Sequence, residues 1–175
     1  STRNSKIKSA FKEVFLNALS PDGGLYIPKK IPIFSLSELN KLKKLSYIDL
    51  AVKIIFKFCS DEFTENEIKK IVREAYKSFR NDEVVVLKKY DKTYFLELFH
   101  GPTLAFKDIA MQVIVNMYES VLRKNNLKIN IVVATSGDTG AAAIDAIKDR
   151  SNMKIFVLHP ENKISDVQRK FMTTV

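Results

Sequence analysis

The stretch that decides the fold is Phe99-His-Gly-Pro-Thr-Leu-Ala-Phe-Lys-Asp108. The run from Tyr94 to Phe99 that leads into it is apolar and aromatic, which predicts a short strand. A Gly-Pro pair then interrupts regular structure. After the stretch, apolar residues recur at helical spacing, which predicts a helix. Lys107 is therefore expected at, or just before, the first turn of that helix.

A lysine at this place invites a chemical interpretation. The N-terminus of a helix carries partial positive charge, which disfavours an ammonium group there. The apolar residues Leu104, Ala105 and Phe106 come just before the lysine and are expected to remove water from it. Both effects favour the neutral amine, which can form a Schiff base with a carbonyl. The alternative is a solvated surface lysine in a lysine-rich chain.

The whole stretch resembles, almost letter for letter, the motif around the cofactor lysine of threonine synthase. That family depends on pyridoxal 5'-phosphate (PLP) and has the tryptophan-synthase-like fold. The resemblance implies that Lys107 forms a Schiff base with PLP and that Phe106 helps to bind the cofactor. It also implies a lyase that converts O-phospho-L-homoserine and water to L-threonine and phosphate.

Composition excludes several classes of protein. The chain has 175 residues, of which 46% are hydrophobic and 28% charged, so it is globular rather than disordered. No apolar run approaches the length of a membrane span, and no signal peptide is visible. The single cysteine, Cys59, excludes an intramolecular disulfide and indicates a reducing, cytoplasmic setting.

The formal charge of +9 raises a hypothesis of another class, a non-catalytic basic module that binds nucleic acid or a protein. The lysines are spread over nearly every segment, however, and their densest cluster, residues 41–44, is not interleaved with aromatic residues. We therefore predict no nucleic-acid partner. No group of histidines, cysteines or acids has metal-ligand spacing, so we predict no metal.

Residues 1–82 are predicted to form a mainly helical N-terminal domain. Capping boxes begin at Ser35 and Thr64, where a hydroxyl residue precedes a glutamate by three positions. Between the first helix and these boxes, residues 20–24 form a strong turn signal. The predicted helices cover Phe11 to Leu19, Ser35 to Leu42, Tyr47 to Phe58 and Glu65 to Phe79.

The chain begins with Ser1-Thr2-Arg3, which is similar to a run near the start of threonine synthases. In that family the run is associated with the region of the substrate phosphate. The resemblance therefore implies that Thr2 and Arg3 bind the substrate, and an arginine with two hydroxyls is a reasonable phosphate clamp. A frayed terminus is the alternative.

Residues 83–175 alternate strands with helices. Apolar, β-branched runs predict strands at Val84–Leu87, Tyr94–Phe99, within 128–135 and at Lys154–Leu158; helices are predicted after Lys107, at Ala141–Lys148 and from Ser165. Such alternation is typical of a parallel sheet with flanking helices. The predicted fold class is α/β, with a helical domain followed by part of a tryptophan-synthase-β-like PLP-enzyme domain.

A second motif, Thr135-Ser-Gly-Asp-Thr-Gly140, lies between a predicted strand and helix. A glycine-containing turn at a helix N-terminus can bind an anion. The alternative is plain capping by Asp138 or Thr139. The motif also resembles the threonine synthase loop that faces the substrate carboxylate and the PLP ring. The resemblance implies that Asp138 lies by the cofactor and that substrate is bound by Thr135, Ser136, Gly137, Thr139 and Gly140.

The resemblance runs from Ser1 to about Gln168, yet threonine synthases are much longer. Their later part carries the glycine-rich loop for the PLP phosphate and the group that contacts the pyridine nitrogen, and no glycine here makes such a cradle. We therefore expect an N-terminal portion that is inactive alone and whose partner is the rest of the enzyme beyond Val175. A paralogue acting on another phosphorylated amino-alcohol is an open alternative.

Overall fold

The computed structural model describes residues 1–175 and contains seven helices and two two-stranded sheets. The chain divides into two compact units, Ser1–Lys70 and Ile71–Val175. The domain boundary near residue 82 remains a prediction. No helix combines the length and the apolar character needed to cross a bilayer.

The first unit is helical, as the sequence predicts. Its helices are α1 (Phe11–Asn17), α2 (Leu36–Leu42), α3 (Tyr47–Cys59) and the start of α4 (Glu65–Tyr76). Both capping boxes form: Glu38 Oε2 accepts the amide N–H of Ser35 at 2.7 Å, and Glu67 Oε2 accepts that of Thr64 at 2.8 Å. Cys59 is fully buried, and burial raises the pKa of its thiol to about 12. The cysteine is therefore a structural thiol.

The second unit opens with an antiparallel hairpin. Its strands are β1 (Val86–Tyr90) and β2 (Thr93–Glu97), and Tyr90 pairs with Thr93 across the turn. The strand predicted to start at Val84 starts two residues later. Val84 is buried and has a φ of 61°, which a β-branched residue adopts only when its surroundings impose it. Burial of this side chain therefore delays the strand.

The rest of the second unit is a parallel β-α-β unit with two further helices. The elements are α5 (Lys107–Asn125), β3 (Ile129–Ala134), α6 (Asp138–Ile147), β4 (Met153–Leu158) and α7 (Asp166–Thr173). Strands β3 and β4 pair in parallel, from Ile129 opposite Met153 to Ala134 opposite Leu158. The predicted parallel sheet is confirmed. Helix α6 begins three residues before the predicted Ala141.

Helices α5 and α6 lie side by side and run in the same direction. Gln112 Nε2 donates to Asp145 Oδ2 at 2.8 Å; one turn further along α5, Asn116 Oδ1 accepts from Arg150 Nη2, just past the end of α6, at 3.1 Å. Because the residue numbers rise together along α5 and along the segment that contains α6, the two helices also begin at the same end. Helix α6 follows directly after β3, so that end is the carboxyl edge of the sheet, where ligands bind in open α/β folds.

One face of the β3–β4 sheet packs on α5 and α6, and the other face does not. The packed side includes Val115, Leu122 and Ile147. On the opposite face Val132, Phe156 and Leu158 are 67%, 56% and 62% exposed. Parallel strands are normally covered on both faces, so this apolar face is an uncovered surface of the second unit.

Candidate functional site

Lys107 is the first residue of α5, as predicted. The residue before it, Phe106, already has helical backbone angles, and its ring centroid lies 4.7 Å from Lys107 Nζ. Phe106 is 57% exposed and Leu104 is also at the surface. Lys107 itself is half-buried, so the expected removal of water from the lysine is only partial in this chain.

The inner anchor of the turn is Asp108. Its side chain is completely buried and accepts two hydrogen bonds from Thr103, one from the amide N–H to Oδ2 at 2.8 Å and one from the hydroxyl to Oδ1 at 2.7 Å. Burial raises the pKa of Asp108, and the two Thr103 bonds act in the opposite direction. Gly101 packs so closely that any Cβ there would overlap the Asp108 carboxylate.

Sequence reasoning missed Asp108 and Thr103. The available signal was an aspartate in the first turn of a helix, preceded five residues earlier by a threonine in a Gly-Pro turn. Aspartate in that position usually satisfies the amides of its own helix. Here it binds the incoming loop instead.

The loop Thr135–Gly140 is held by the hydroxyl of Thr135. That oxygen accepts the amide N–H groups of Gly137 and Gly140, each at 3.1 Å. Gly137 is the N-cap residue of α6 and has a φ of 150° and a ψ of −89°, a conformation almost restricted to glycine. The predicted capping is therefore real, but Thr135 supplies it rather than Asp138 or Thr139. This bond draws residues 138–140 into the first turn, so α6 starts early.

Asp138 does not cap α6; its carboxylate binds a side chain of α7 instead. Its Oδ1 accepts a hydrogen bond from Gln168 Nε2 of α7 at 3.0 Å. The Gln168 side chain lies so close over Gly137 that a Cβ there would come within 2.5 Å of its amide. Ser136 is exposed and Thr139 is half-buried, so these hydroxyls remain reachable beside the covered glycine. Gln168 is a third residue, after Asp108 and Thr103, that sequence reasoning missed as part of the site.

Thr2 and Arg3 belong to the first unit and are not frayed. The Thr2 amide donates to the Leu25 carbonyl at 2.8 Å, and the Thr2 hydroxyl accepts the Leu25 amide at 2.9 Å. Arg3 Nη1 donates to the Asp22 carbonyl at 3.0 Å. The chain start is therefore pinned to the turn around Asp22, whose pKa is lowered chiefly by the Gly24 amide. Arg3 itself is exposed, with one of its five donors used.

His100 has a structural partner. Its Nε2 lies 2.9 Å from Glu97 Oε2, while Lys88 Nζ lies 2.8 Å from Glu97 Oε1. These contacts hold the pKa of Glu97 below its usual value, with the Lys88 hydrogen bond as the main cause. His100 thus secures the end of β2, in agreement with its interpretation as a hydrogen-bonding histidine.

Two parts of the predicted site lie at the same end of the second unit. Lys107 lies about 8 Å of helical rise before Gln112, and Asp138 lies about 10 Å before Asp145. Gln112 and Asp145 are hydrogen-bonded, and both helices run the same way. The amine of Lys107 and the loop Thr135–Gly140 are therefore at the same end of the α5–α6 pair. Thr2 and Arg3 lie in the other unit.

This end of the unit fits part of what a carbonyl-bearing, phosphorylated cofactor requires. It offers a lysine amine and a helix N-terminus with hydroxyl groups around it. No glycine is left over to form a cradle for a phosphate. Four glycines are packed against other residues: Gly23 and Gly24 against residues 1–3 and Asp22, Gly101 against Asp108, and Gly140 against Thr135 and Met172. Gly137 is covered by Gln168.

Comparison with known proteins finds similarity to threonine synthases. A family model described as "Threonine synthase N terminus" matches residues 1–76. The chain is 42% identical to the threonine synthase of Pseudomonas aeruginosa over its full length, and it covers 38% of that protein. It is also 35% identical, again over its full length, to the threonine synthase-like 2 protein of Xenopus laevis, of which it covers 38%.

Solved structures agree with the sequence comparisons. A crystal structure of PLP-bound threonine synthase from Brucella melitensis superimposes with a TM-score of 0.93 at 42% identity. The match covers 99% of this chain and 38% of the Brucella chain. The chain thus spans less than two fifths of the length of the proteins that it matches.

Proposed function

We propose that the chain is the N-terminal part of a member of the threonine synthase family, and that the whole protein converts O-phospho-L-homoserine and water to L-threonine and phosphate with PLP. The observation that carries the proposal is the position of Lys107 in the first turn of α5, at the same end of the unit as the loop Thr135–Gly140. The reaction class is that of a PLP-dependent carbon–oxygen lyase.

We assign two tasks to Lys107. Its Nζ binds the carbonyl carbon of the cofactor, and after the substrate amine displaces it the same nitrogen takes protons from, and returns them to, carbon atoms of the substrate. PLP, when bound, supplies an electron sink for the carbanion that this leaves. The geometry suits the tasks, because the amine contacts only the Phe106 ring and no acidic partner holds it. Phe106 is proposed to contact the cofactor.

The loop Thr135–Gly140 is proposed to hold the substrate carboxylate. The amide N–H groups of Asp138 and Thr139, in the first turn of α6, have no intrahelical partners and can bind an anion that approaches the helix start. Ser136 and Thr139 add hydroxyl donors. Gly137 and Gly140 are proposed to bind the substrate as part of this turn, whose shape Thr135 holds through their amides. Asp138 is proposed to face the cofactor rather than the carboxylate, since like charges repel.

Thr2 and Arg3 are proposed to bind the substrate phosphate. Arg3 is exposed and uses one donor for the Asp22 carbonyl, so its guanidinium can still form charge-assisted hydrogen bonds. The pinned backbone supports this role, because a fixed clamp loses less entropy on binding than a frayed one.

The remaining part of the protein, beyond Val175, is proposed to supply the cradle for the PLP phosphate and the partner of the ring nitrogen. The packed glycines of this chain support that division, since none of them is available for a cradle. The 175-residue chain alone is therefore proposed to be inactive. A cytoplasmic location is proposed because the only cysteine, Cys59, is a free thiol, and chains without disulfides are typical of reducing compartments.

The test is substitution of Lys107 in the full-length protein. Lys107→Ala is expected to abolish both threonine formation and the absorbance of lysine-bound cofactor. Lys92→Ala, at an exposed lysine in the β1–β2 turn, is the matched control and should leave both unchanged. Release of phosphate from O-phospho-L-homoserine by the Lys107→Ala protein, at the control's rate, would overturn the assignment.

A second candidate is a threonine-synthase-like enzyme that acts on another phosphorylated amino-alcohol. It is favoured by the match to the Xenopus threonine synthase-like 2 protein. The two candidates separate by substrate. If the protein is a threonine synthase, O-phospho-L-homoserine should give the highest kcat/KM among phosphorylated hydroxy-amino compounds. If it is the paralogue, another of these compounds should give the highest kcat/KM.

A further inference from the structure

Helix α5 starts in an unusual way. Its N-cap residue, Phe106, makes no side-chain hydrogen bond to the helix. The start is held instead by Asp108, whose two carboxylate oxygens both bind Thr103 on the incoming loop. Both residues are buried, so solvent does not compete for these bonds.

The backbone between Thr103 and Asp108 is strained. Leu104 has a φ of 64°, a left-handed conformation that a leucine adopts only when its surroundings impose it. The amide of Leu104 donates to the Gly101 carbonyl at 3.2 Å, and the amide of Asp108 donates to the Ala105 carbonyl at 3.1 Å. The Thr103–Asp108 pair spans this tight turn and holds it closed.

The helix side of the turn is fixed as well. The hydroxyl of Tyr76, a buried residue, donates to the Ile109 carbonyl at 3.2 Å. The carbonyl of His100 accepts the Arg80 amide at 2.9 Å. Both ends of the turn are thus attached to the body of the unit, while the side chain of Lys107 makes only the contact with the Phe106 ring. The backbone of the turn therefore sets the point and the direction at which the Lys107 side chain leaves the helix.

We propose that Thr103 and Asp108 are positioning residues for Lys107: by closing the turn they set the direction in which the lysine side chain leaves α5, and so where its amine meets the carbonyl of a bound cofactor. This inference rests on the proposed function, because it assumes that Lys107 is the residue that binds the cofactor. A fixed direction matters because small displacements of a reacting group lower rates strongly.

The test uses the full-length protein and two variants at one position. Thr103→Val removes the hydroxyl and keeps the shape of the side chain, whereas Thr103→Ser keeps the hydroxyl and serves as the control. We expect Thr103→Val to lower kcat, per mole of Lys107-bound cofactor, by about 100-fold, the scale that a displacement of about 1 Å produces. We expect Thr103→Ser to retain the wild-type kcat. When the absorbance of the lysine-bound cofactor is titrated with pH, the midpoint should shift in Thr103→Val and not in Thr103→Ser.

A readout without cofactor completes the test. Hydrogen exchange of amides 103–109 in the cofactor-free protein should be faster in Thr103→Val than in Thr103→Ser or wild type. If Thr103→Val destabilises the fold, Asp108→Asn is used in its place, since asparagine keeps the shape of the side chain and one acceptor. We expect Asp108→Asn to lower kcat and to speed amide exchange, each by less than Thr103→Val. Unlabelled Lys107 in the wild-type protein after borohydride reduction would overturn the proposed function, and the inference with it. Labelled Lys107 with unchanged kcat, pH midpoint and exchange in Thr103→Val would overturn the inference alone.

Discussion

The hydroxyl of Thr135 accepts the amide N–H of Gly140 at 3.1 Å, and through this bond a side chain outside α6 caps the helix. The same oxygen accepts the Gly137 amide at 3.1 Å, so one hydroxyl satisfies two amides. The shape of the candidate carboxylate loop therefore depends on a residue that precedes the helix by three positions.

Removing this hydroxyl should destabilise the chain. Thr135→Val keeps the size of the side chain and leaves two amides without a partner, so we expect the free energy of unfolding to fall by about 1 kcal/mol. Urea unfolding followed by circular dichroism measures the loss. Thr135→Ser retains the hydroxyl and should remain near wild type. Equal stability of the valine and serine variants would contradict the assigned cap.

Gly137 should not tolerate a side chain. A Cβ would meet the Gln168 side chain at 2.5 Å, and a φ of 150° strains any L-residue, so we expect Gly137→Ala to cost about 1–3 kcal/mol of stability. The double variant with Gln168→Ala separates the two causes, because it removes the steric contact and leaves the backbone strain. Recovery to the stability of Gln168→Ala alone would show that strain contributes nothing.

Cys59 should be inert in the folded chain. Burial raises the pKa of its thiol to about 12 from the ordinary 9.0, so almost no thiolate is present at pH 8. We expect a disulfide reagent to modify Cys59 fast in denaturant and very slowly without it. Because the folded thiol holds its proton longer than the unfolded one, its stabilising effect is complete below about pH 9 and is lost as pH rises toward about 12. Rapid modification of the native chain at pH 8 would contradict this account.

The uncovered face of the β3–β4 sheet should drive self-association of the isolated chain. Phe156 is 56% exposed on that face, next to Val132 and Leu158. We expect Phe156→Glu to shift the sedimentation profile of the 175-residue chain toward monomer, because it removes apolar surface and adds charge. Asn130→Asp, on the same face, adds charge without removing apolar surface and should have a smaller effect. Identical effects of both variants would point to charge rather than to apolar contact.

The isolated chain should not be a working enzyme. Mixed with PLP and reduced with borohydride, it is expected to give weak labelling spread over many of its lysines and to form no threonine. Peptide mapping by mass spectrometry measures the distribution. Stoichiometric labelling of Lys107 together with turnover would mean that the cofactor site is complete within these residues.

Local sequence patterns predicted most of the elements. The position of Lys107 at a helix start, the capping boxes at Ser35 and Thr64, and the parallel pairing of β3 with β4 are all confirmed. These features depend on spacing and on residues within one turn or one strand, which a sequence displays directly. The errors are of another kind. The start of β1 moved because Val84 is buried, and the start of α6 moved because Thr135 reaches over it.

By itself, the sequence determined the order and type of the elements, the family motif around Lys107 and the lack of a phosphate cradle among the glycines. Only the tertiary structure decided that α5 and α6 begin at the same end, that Thr103 and Asp108 close the turn before Lys107, and that Gln168 covers Gly137. The physical reason is range. Periodicity and capping follow from the nearest few residues, whereas the bond between Gln168 and Asp138 joins side chains 30 positions apart and exists only after α7 has packed on α6.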